Sequence, residues 1–346
     1  MKFNSNTIGV IADIHLGVYQ DSPLWHNLAL DFARWAAKTY KAVGIKDIVI
    51  SGDIFHNRER VSVNTIHAAS DFFKILEDFN IIAIVGNHDA FYRDRSDVSS
   101  ISILKGWNNI HVVLDTEIME FNGKKIAFVP WGADISKIEP CDIMFGHFEI
   151  ASFSIARDQI CTHGESATNL LEIAPLVMTG HFHMAETRKY EKGRIIYVGS
   201  PMELNWGEAY TPKYIWLLDI DESKPRAIEN KFSPKHLKFK SSQIYNKLDE
   251  FKSDIIGNFI NIQVDQELPI TEVELLQTKI SALKPLELRM DYQINNEIVL
   301  DEVGFEDFNP VDIDKVFQEV VDKLTETQTK KKKVLDVLRD IYNQVN

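Results

Sequence analysis

Cysteine is scarce in this chain. Of 346 residues only Cys141 and Cys161 carry a thiol, too few for a disulfide framework and in keeping with a reducing compartment. No apolar run approaches the roughly 18 residues of a membrane span, which argues against a membrane protein. The start, Met1-Lys2-Phe3-Asn4-Ser5-Asn6, lacks the basic region and apolar core of a secretory leader, so a cytoplasmic location is expected. Positive charge is also in deficit. A net charge of −13 excludes an indiscriminate electrostatic grip on nucleic acid, because counterion release requires local Lys and Arg. A local basic strip or bound cations would still be compatible with a polyanionic ligand.

What is present is an ordinary globular composition, 45% hydrophobic, in a chain long enough for more than one domain. The apolar runs Ile8 to Ala12, Ile48 to Ile50, Ile81 to Val85, Ile143 to Phe145 and Leu176 to Met178 are short and rich in β-branched residues. Each reads as a buried strand. Helical patterns at Leu24 to Tyr40, behind Ser22-Pro23, and at Val63 to Phe79 separate the first three, as in βαβ units. Later segments read as antiparallel β: a hairpin from Ile118 to Phe121 through Asn122-Gly123 to Lys124 to Val129, then Arg194 to Val198 and Tyr214 to Asp219. Such a β-rich half packed on the first completes a sandwich with helices outside. Pro225, Pro234 and many lysines suggest a linker over Asp221 to Lys240. A small α+β unit is expected next, with strand Phe259 to Val264, helix Thr271 to Leu283 and strand Leu286 to Ile294. Two helices, Val311 to Leu324 and Lys332 to Val345, close the chain, the last with Val334, Leu338, Ile341 and Val345 on one face.

Each strand is followed by a block of metal-binding residue types: Asp13-Ile14-His15, Gly52-Asp53, Gly86-Asn87-His88-Asp89, Gly146-His147 and Gly180-His181-Phe182-His183. In open α/β sheets ligands bind beyond the carboxyl ends of strands, so blocks far apart in sequence are expected to converge. The set suffices for two cations. Paired divalent ions roughly 3.5 to 4 Å apart clamp the attacking and leaving oxygens of a phosphoryl displacement. In one consistent assignment Asp13, His15, Asp53 and His183 hold one ion, while Asp53, Asn87, His147 and His181 hold the other. Asp53 bridges because a carboxylate offsets two neighbouring cations. Mixed imidazole, carboxylate and amide donors suit Mn, Fe or Zn better than Mg or Ca. His88, beside Asn87 but outside the set, is free to assist the leaving oxygen, with Asp89 expected to orient its ring.

These blocks together resemble the calcineurin-like metallophosphoesterase superfamily over roughly residues 8 to 220. Within it, Gly52-Asp53-Ile54-Phe55-His56-Asn57-Arg58 and Gly199-Ser200-Pro201 resemble SbcD-type DNA repair nucleases, and the short chain with Val129-Pro130-Trp131 looks closest to their phage branch. Protein phosphatases of the superfamily would show Asp-Arg-Gly after the bridging Asp and Asn-His-Glu at the third block. Here stand Asn57-Arg58-Glu59 and Asn87-His88-Asp89. The resemblance implies a four-layer αββα sandwich with a small α+β capping domain and C-terminal helices: residues 1–230 as nuclease domain, 235–305 as capping, DNA-positioning domain and 310–346 as partner-binding segment. It further implies a Mn-dependent 3′ to 5′ duplex exonuclease and single-strand endonuclease of DNA recombination and repair, a homodimer, and an SMC-like ATPase bound through the C-terminal helices. His56 corresponds to a histidine thought to adjust the substrate phosphate.

Two other readings share the same residues: a phosphodiesterase for small or cyclic nucleotides, and a scaffold for the ATPase with cleavage secondary. Arg58, Arg60, Tyr92, Arg93 and Arg95 follow the blocks in expected loops, where they suit a DNA backbone or plain solvent equally. Lys330 to Lys333 reads as a solvated helix start, with aid to DNA or partner binding as the alternative.

Overall fold

The alternation of apolar residues within each short strand sorts side chains onto two faces. In a computed structural model, which describes residues 3–157, 159–265, 268–292 and 332, those faces build a four-layer αββα sandwich. The first sheet has the order β14-β13-β1-β2-β3-β4, with β1 (Thr7–Ile11), β2 (Asp47–Ser51), β3 (Asn80–Ile84) and β4 (Ile110–Val113) parallel, and β13 (Tyr214–Asp219) and β14 (Lys224–Glu229) antiparallel at one edge. The second has the order β11-β12-β10-β7-β6-β5, from β5 (Glu117–Phe121), β6 (Lys124–Val129), β7 (Ile143–His147), β10 (Leu176–Gly180), β11 (Glu186–Tyr190) and β12 (Gly193–Tyr197), while β8 (Ser154–Ala156) and β9 (Gln159–Ile160) pair apart from it.

The period of two is visible in the cores. Ile8, Val10, Val49, Ile82 and Ile84 meet Phe128, Phe145, Met178 and Ile196 between the sheets. Their neighbours Ile11, Ile48, Ile50, Ile81 and Ala83 face outward onto helices Pro23–Ala42 and Val63–Ile75, against Phe32, Ala36, Tyr40, Phe72 and Phe73. On the other side Ala127, Met144, Val177 and Ile195 meet Leu170 and Leu171 of helix Ala167–Ile173. Each fully buried large apolar side chain contributes roughly 1.5–3 kcal/mol.

Several sequence expectations are corrected here. The second sheet is not mainly antiparallel: β6, β7, β10 and β12 run parallel, and only the edge strands β5 and β11 oppose them. Strand β13 does not stay with β11 and β12, which precede it, but pairs with β1 and β14 in the first sheet. The expected linker contains β14, where Pro225 is tolerated because the strand lies at an edge. Helix Val63–Ile75 ends four residues earlier than its pattern suggested, with the Ser62 side chain capping the Thr65 amide at its start.

Beyond β14 a separate parallel sheet, β15-β16-β17, comprises His236–Lys240, Phe259–Val264 and Glu287–Tyr292. Helix Ile270–Ala282 covers it, placing Val273, Leu276 and Ile280 inward. The Trp25 ring stacks on Phe259 at 5.1 Å, linking this sheet to helix Pro23–Ala42. The helices expected at Val311 to Leu324 and Lys332 to Val345 lie outside the described residues, Lys332 excepted. Among the described residues no helix is long and apolar enough to cross a membrane.

Candidate metal centre

Strands of both sheets that carry the blocks point their carboxyl ends the same way, and the blocks meet there. Asp13 and His15 follow β1, Asp53 follows β2, Asn87 follows β3, His147 ends β7, and His181 and His183 follow β10. Asp13, His15 and Asp53 leave their strands at φ of 55°, 52° and 53°, and His181 at 100°. Such left-handed backbone costs about 1–2 kcal/mol per non-glycine residue and persists only where surrounding contacts hold it. Gly52, at φ 91°, is required for a second reason: a Cβ there would fall 2.1 Å from His147 Nδ1.

The donors form two groups. Asp13, His15 and His183 each bring a ligand atom within 4.8 Å of the others, as do Asp53, His147 and His181. Asn87 Oδ1 joins the second group, 2.9 Å from both His147 Nε2 and His181 Nδ1. Asp53 Oδ2 stands between the groups, 3.6 Å from His15 Nε2 and 3.3 Å from His147 Nε2. All seven residues predicted as ligands are thus brought together.

Whether this pocket suits cations can be judged from atoms left without partners. Asp13 Oδ1 accepts from the His181 amide at 2.9 Å, whereas its buried Oδ2 has no hydrogen-bond partner. A buried carboxylate oxygen left bare is costly unless a cation faces it. Burial, opposed by His147 and His183 and reinforced by Asp53, pushes the Asp13 carboxyl up to about 6. Burial also works against charge on Asp53, but His147, His88 and His15 around it hold its carboxyl well below the usual range. Burial drives the His15 imidazole well below its ordinary value. The residues fit a pair of divalent ions.

The three remaining predicted site residues divide. His88 Nδ1 donates to the His56 carbonyl at 2.6 Å, and its ring lies 4.8 Å from that of His15 and stacks on that of His56 at 5.4 Å. His56 also faces His15, Nδ1 to Nδ1, at 3.3 Å. Asp89 does not orient His88, contrary to expectation. Its fully buried carboxylate accepts from the amides of Ile54, Phe55 and Gly86 at 3.2, 2.9 and 3.0 Å, so it braces the loops carrying Asp53 and Asn87.

Sequence reasoning missed some neighbours. Glu149 Oε1 lies 3.9 Å from His181 Nε2 and 3.1 Å from His163 Nε2, and the Trp131 ring sits 5.2 Å from that of His181. Trp131 Nε1 donates to the Arg93 carbonyl, anchoring the exposed loop that also carries Tyr92 and Arg95. Only the position of Glu149 two residues after His147 hinted at its place.

A model of the calcineurin-like phosphoesterase superfamily domain matches residues 7–223. Exonuclease subunit 1 of Enterobacteria phage T4 is 26% identical over 306 residues, covering 84% of this chain and 86% of that protein. Putative phosphoesterase 244L of Invertebrate iridescent virus 6 is 27% identical over 177 residues, covering 46% of this chain and 60% of that protein. Among solved structures, an archaeal phosphodiesterase aligns at 17% identity and TM-score 0.37, covering 64% of this chain and 99% of its own. A dimetal phosphatase from Danio rerio aligns at 11% identity and TM-score 0.42, covering 64% and 98%.

Proposed function

Because this chain belongs to the calcineurin-like phosphoesterase superfamily, we propose that it is a two-metal DNA nuclease subunit, with 3′ to 5′ exonuclease action on duplexes and endonuclease action on single strands. The observation that carries the reading is the placement of Asp53 Oδ2 between two donor groups, one of them holding the bare Asp13 Oδ2. Asp13, His15, Asp53 and His183 would hold one ion, and Asp53, Asn87, His147 and His181 the other, with Mn2+ suited to the mixed donors. Two such ions would supply an activated nucleophile at neutral pH and neutralise charge on the phosphate.

The remaining work falls to this chain's own side chains. With Nδ1–H tied to the His56 carbonyl, a protonated His88 has its Nε2 proton to give to the leaving oxygen. We assign the adjustment of the phosphate to His56, which stacks on His88. Support for a nuclease comes from the phage exonuclease subunit, which is similar over most of both chains, and DNA is our assignment of the substrate. Its designation as a subunit supports a partner, which we assign as an SMC-like ATPase bound through residues 310–346. We further assign residues 235–305 to DNA positioning, a homodimeric state, a role in DNA recombination and repair, and a cytoplasmic location, in the host if the chain is phage-encoded.

The test is Mn2+-dependent degradation of linear duplex DNA labelled at either end, with Asp53→Asn as control. Progressive loss of 3′ label by the wild type alone supports the nuclease. Faster turnover of a cyclic nucleotide than of DNA moves the reading to a small-substrate phosphodiesterase, and intact DNA with two Mn2+ bound overturns cleavage by the isolated chain.

A further inference from the structure

Behind His183 lies a buried charged cluster that the reaction above does not use. Glu208, in the short helical turn Trp206–Glu208, and Lys213, just before β13, are 5% and 3% exposed. The Lys213 ammonium donates to Glu208 Oε2, to Ser200 Oγ at 2.8 Å and to the His183 carbonyl at 3.0 Å. Ser200 Oγ donates to Glu208 Oε2 at 2.9 Å, and the Leu204 amide donates to the same oxygen at 3.2 Å. Glu208 Oε1 accepts from Asn205 Nδ2 at 3.0 Å and meets His183 Nδ1 at 2.8 Å.

This arrangement decides a proton position. Lys213 buried without a counter-ion would be strongly destabilising, so Glu208 is its carboxylate partner. An ionised carboxylate only accepts, so His183 Nδ1 must carry the hydrogen, and in the neutral ring Nε2 then carries the lone pair. Nε2 is the atom that faces His15 Nε2, 3.0 Å away, on the side of Asp13. The Gly199-Ser200-Pro201 motif acquires a purpose as well. A Cβ on Gly199 would lie 3.0 Å from the His183 carbonyl oxygen, so only glycine admits the approach that lets Ser200 N bond that carbonyl at 3.1 Å.

We infer that Glu208, held by Lys213 and Ser200, is a positioning residue that fixes the tautomer and ring orientation of His183 and thereby sets the affinity of one of the two ions. Carboxylates behind ligating histidines commonly act this way, and losing one costs about 10–100-fold in metal affinity. The inference rests on the proposed metal centre, and its test separates the two.

Mn2+ binding is measured by isothermal titration calorimetry on the metal-free full chain, for wild type, E208Q, the double variant E208Q/K213M and H183A. Removing both buried charges in the double variant avoids leaving one uncompensated, which preserves folding. The expected result is two ions in wild type, one weakened about 10–100-fold in E208Q and the double variant, and the same ion lost in H183A. A folded double variant that binds both ions as wild type does overturns the inference but leaves the centre intact. Wild type that binds no Mn2+ removes the centre and the inference with it. Nitrogen-15 NMR of the metal-free wild-type imidazoles, assigned with H183A, reads the tautomer without any charge variant. A proton on His183 Nε2 and none on Nδ1 overturns the inference.

Discussion

His147 Nδ1 donates to the backbone carbonyl of Ser51 across 2.8 Å, joining the end of β7 in the second sheet to the end of β2 in the first. Two sheets could slide along their apolar interface, since the hydrophobic effect is not directional. This bond sets a register, turns His147 Nε2 towards Asp53 and Asn87, and places the residue before Gly52-Asp53 at the seam.

Gly52→Ala attacks that seam. The new methyl would occupy space 2.1 Å from His147 Nδ1 on backbone held at φ 91°. We expect a loss of about 1–2 kcal/mol from backbone strain alone, together with weakened binding of the ion assigned to His147. Urea unfolding and Mn2+ calorimetry check the two effects.

His88→Ala should separate binding from chemistry. The ring packs beside His15 but is not assigned to either ion. Both Mn2+ ions are expected to bind as in wild type, while DNA cleavage falls about 10²–10⁴-fold, the usual range for a lost general acid. Full cleavage by the variant would remove His88 from the reaction.

Asp89→Ala should behave differently from His88→Ala, because its carboxylate serves three backbone amides and not the His88 ring. Each buried amide left unpaired costs about 1–3 kcal/mol. The expected phenotype is a large drop in urea stability of the metal-free protein with weaker Mn2+ binding. A stable variant with only slower turnover would restore the orienting role.

Cys141 should resist alkylation in the native state. Burial pushes its thiol from 9.0 up to about 11, so at pH 8 its thiolate is about 100-fold scarcer than in an ordinary cysteine. Thiol titration with an aromatic disulfide reagent should show slow reaction in buffer, quickening as pH rises towards 11, and prompt reaction in urea.

The sequence by itself determined the inner strands, the hairpin at Asn122-Gly123, the helices flanking β2 and the seven donor residues that the fold brings together, because hydrophobic period and donor chemistry are local properties of the chain. Tertiary structure alone decided which sheet each strand joins. A strand buried on both faces reads alike whether its neighbour is parallel or antiparallel, so the antiparallel pairing of β12 with β11 was legible but its parallel pairing with β10 was not, and β13 crossed to β1 through pairing with a partner about 200 residues earlier. The same limit applies around the site. Asp89 looked like the orienter of His88 because it follows it, yet its partners are backbone amides, two in the loop after β2 and one in its own. Glu208 and Lys213 carry no motif, and their meeting with His183 depends on two loops, after β10 and after β12, closing over one buried ion pair. Hydrogen bonds and ion pairs act over about 3 Å in space, and sequence adjacency does not report that distance.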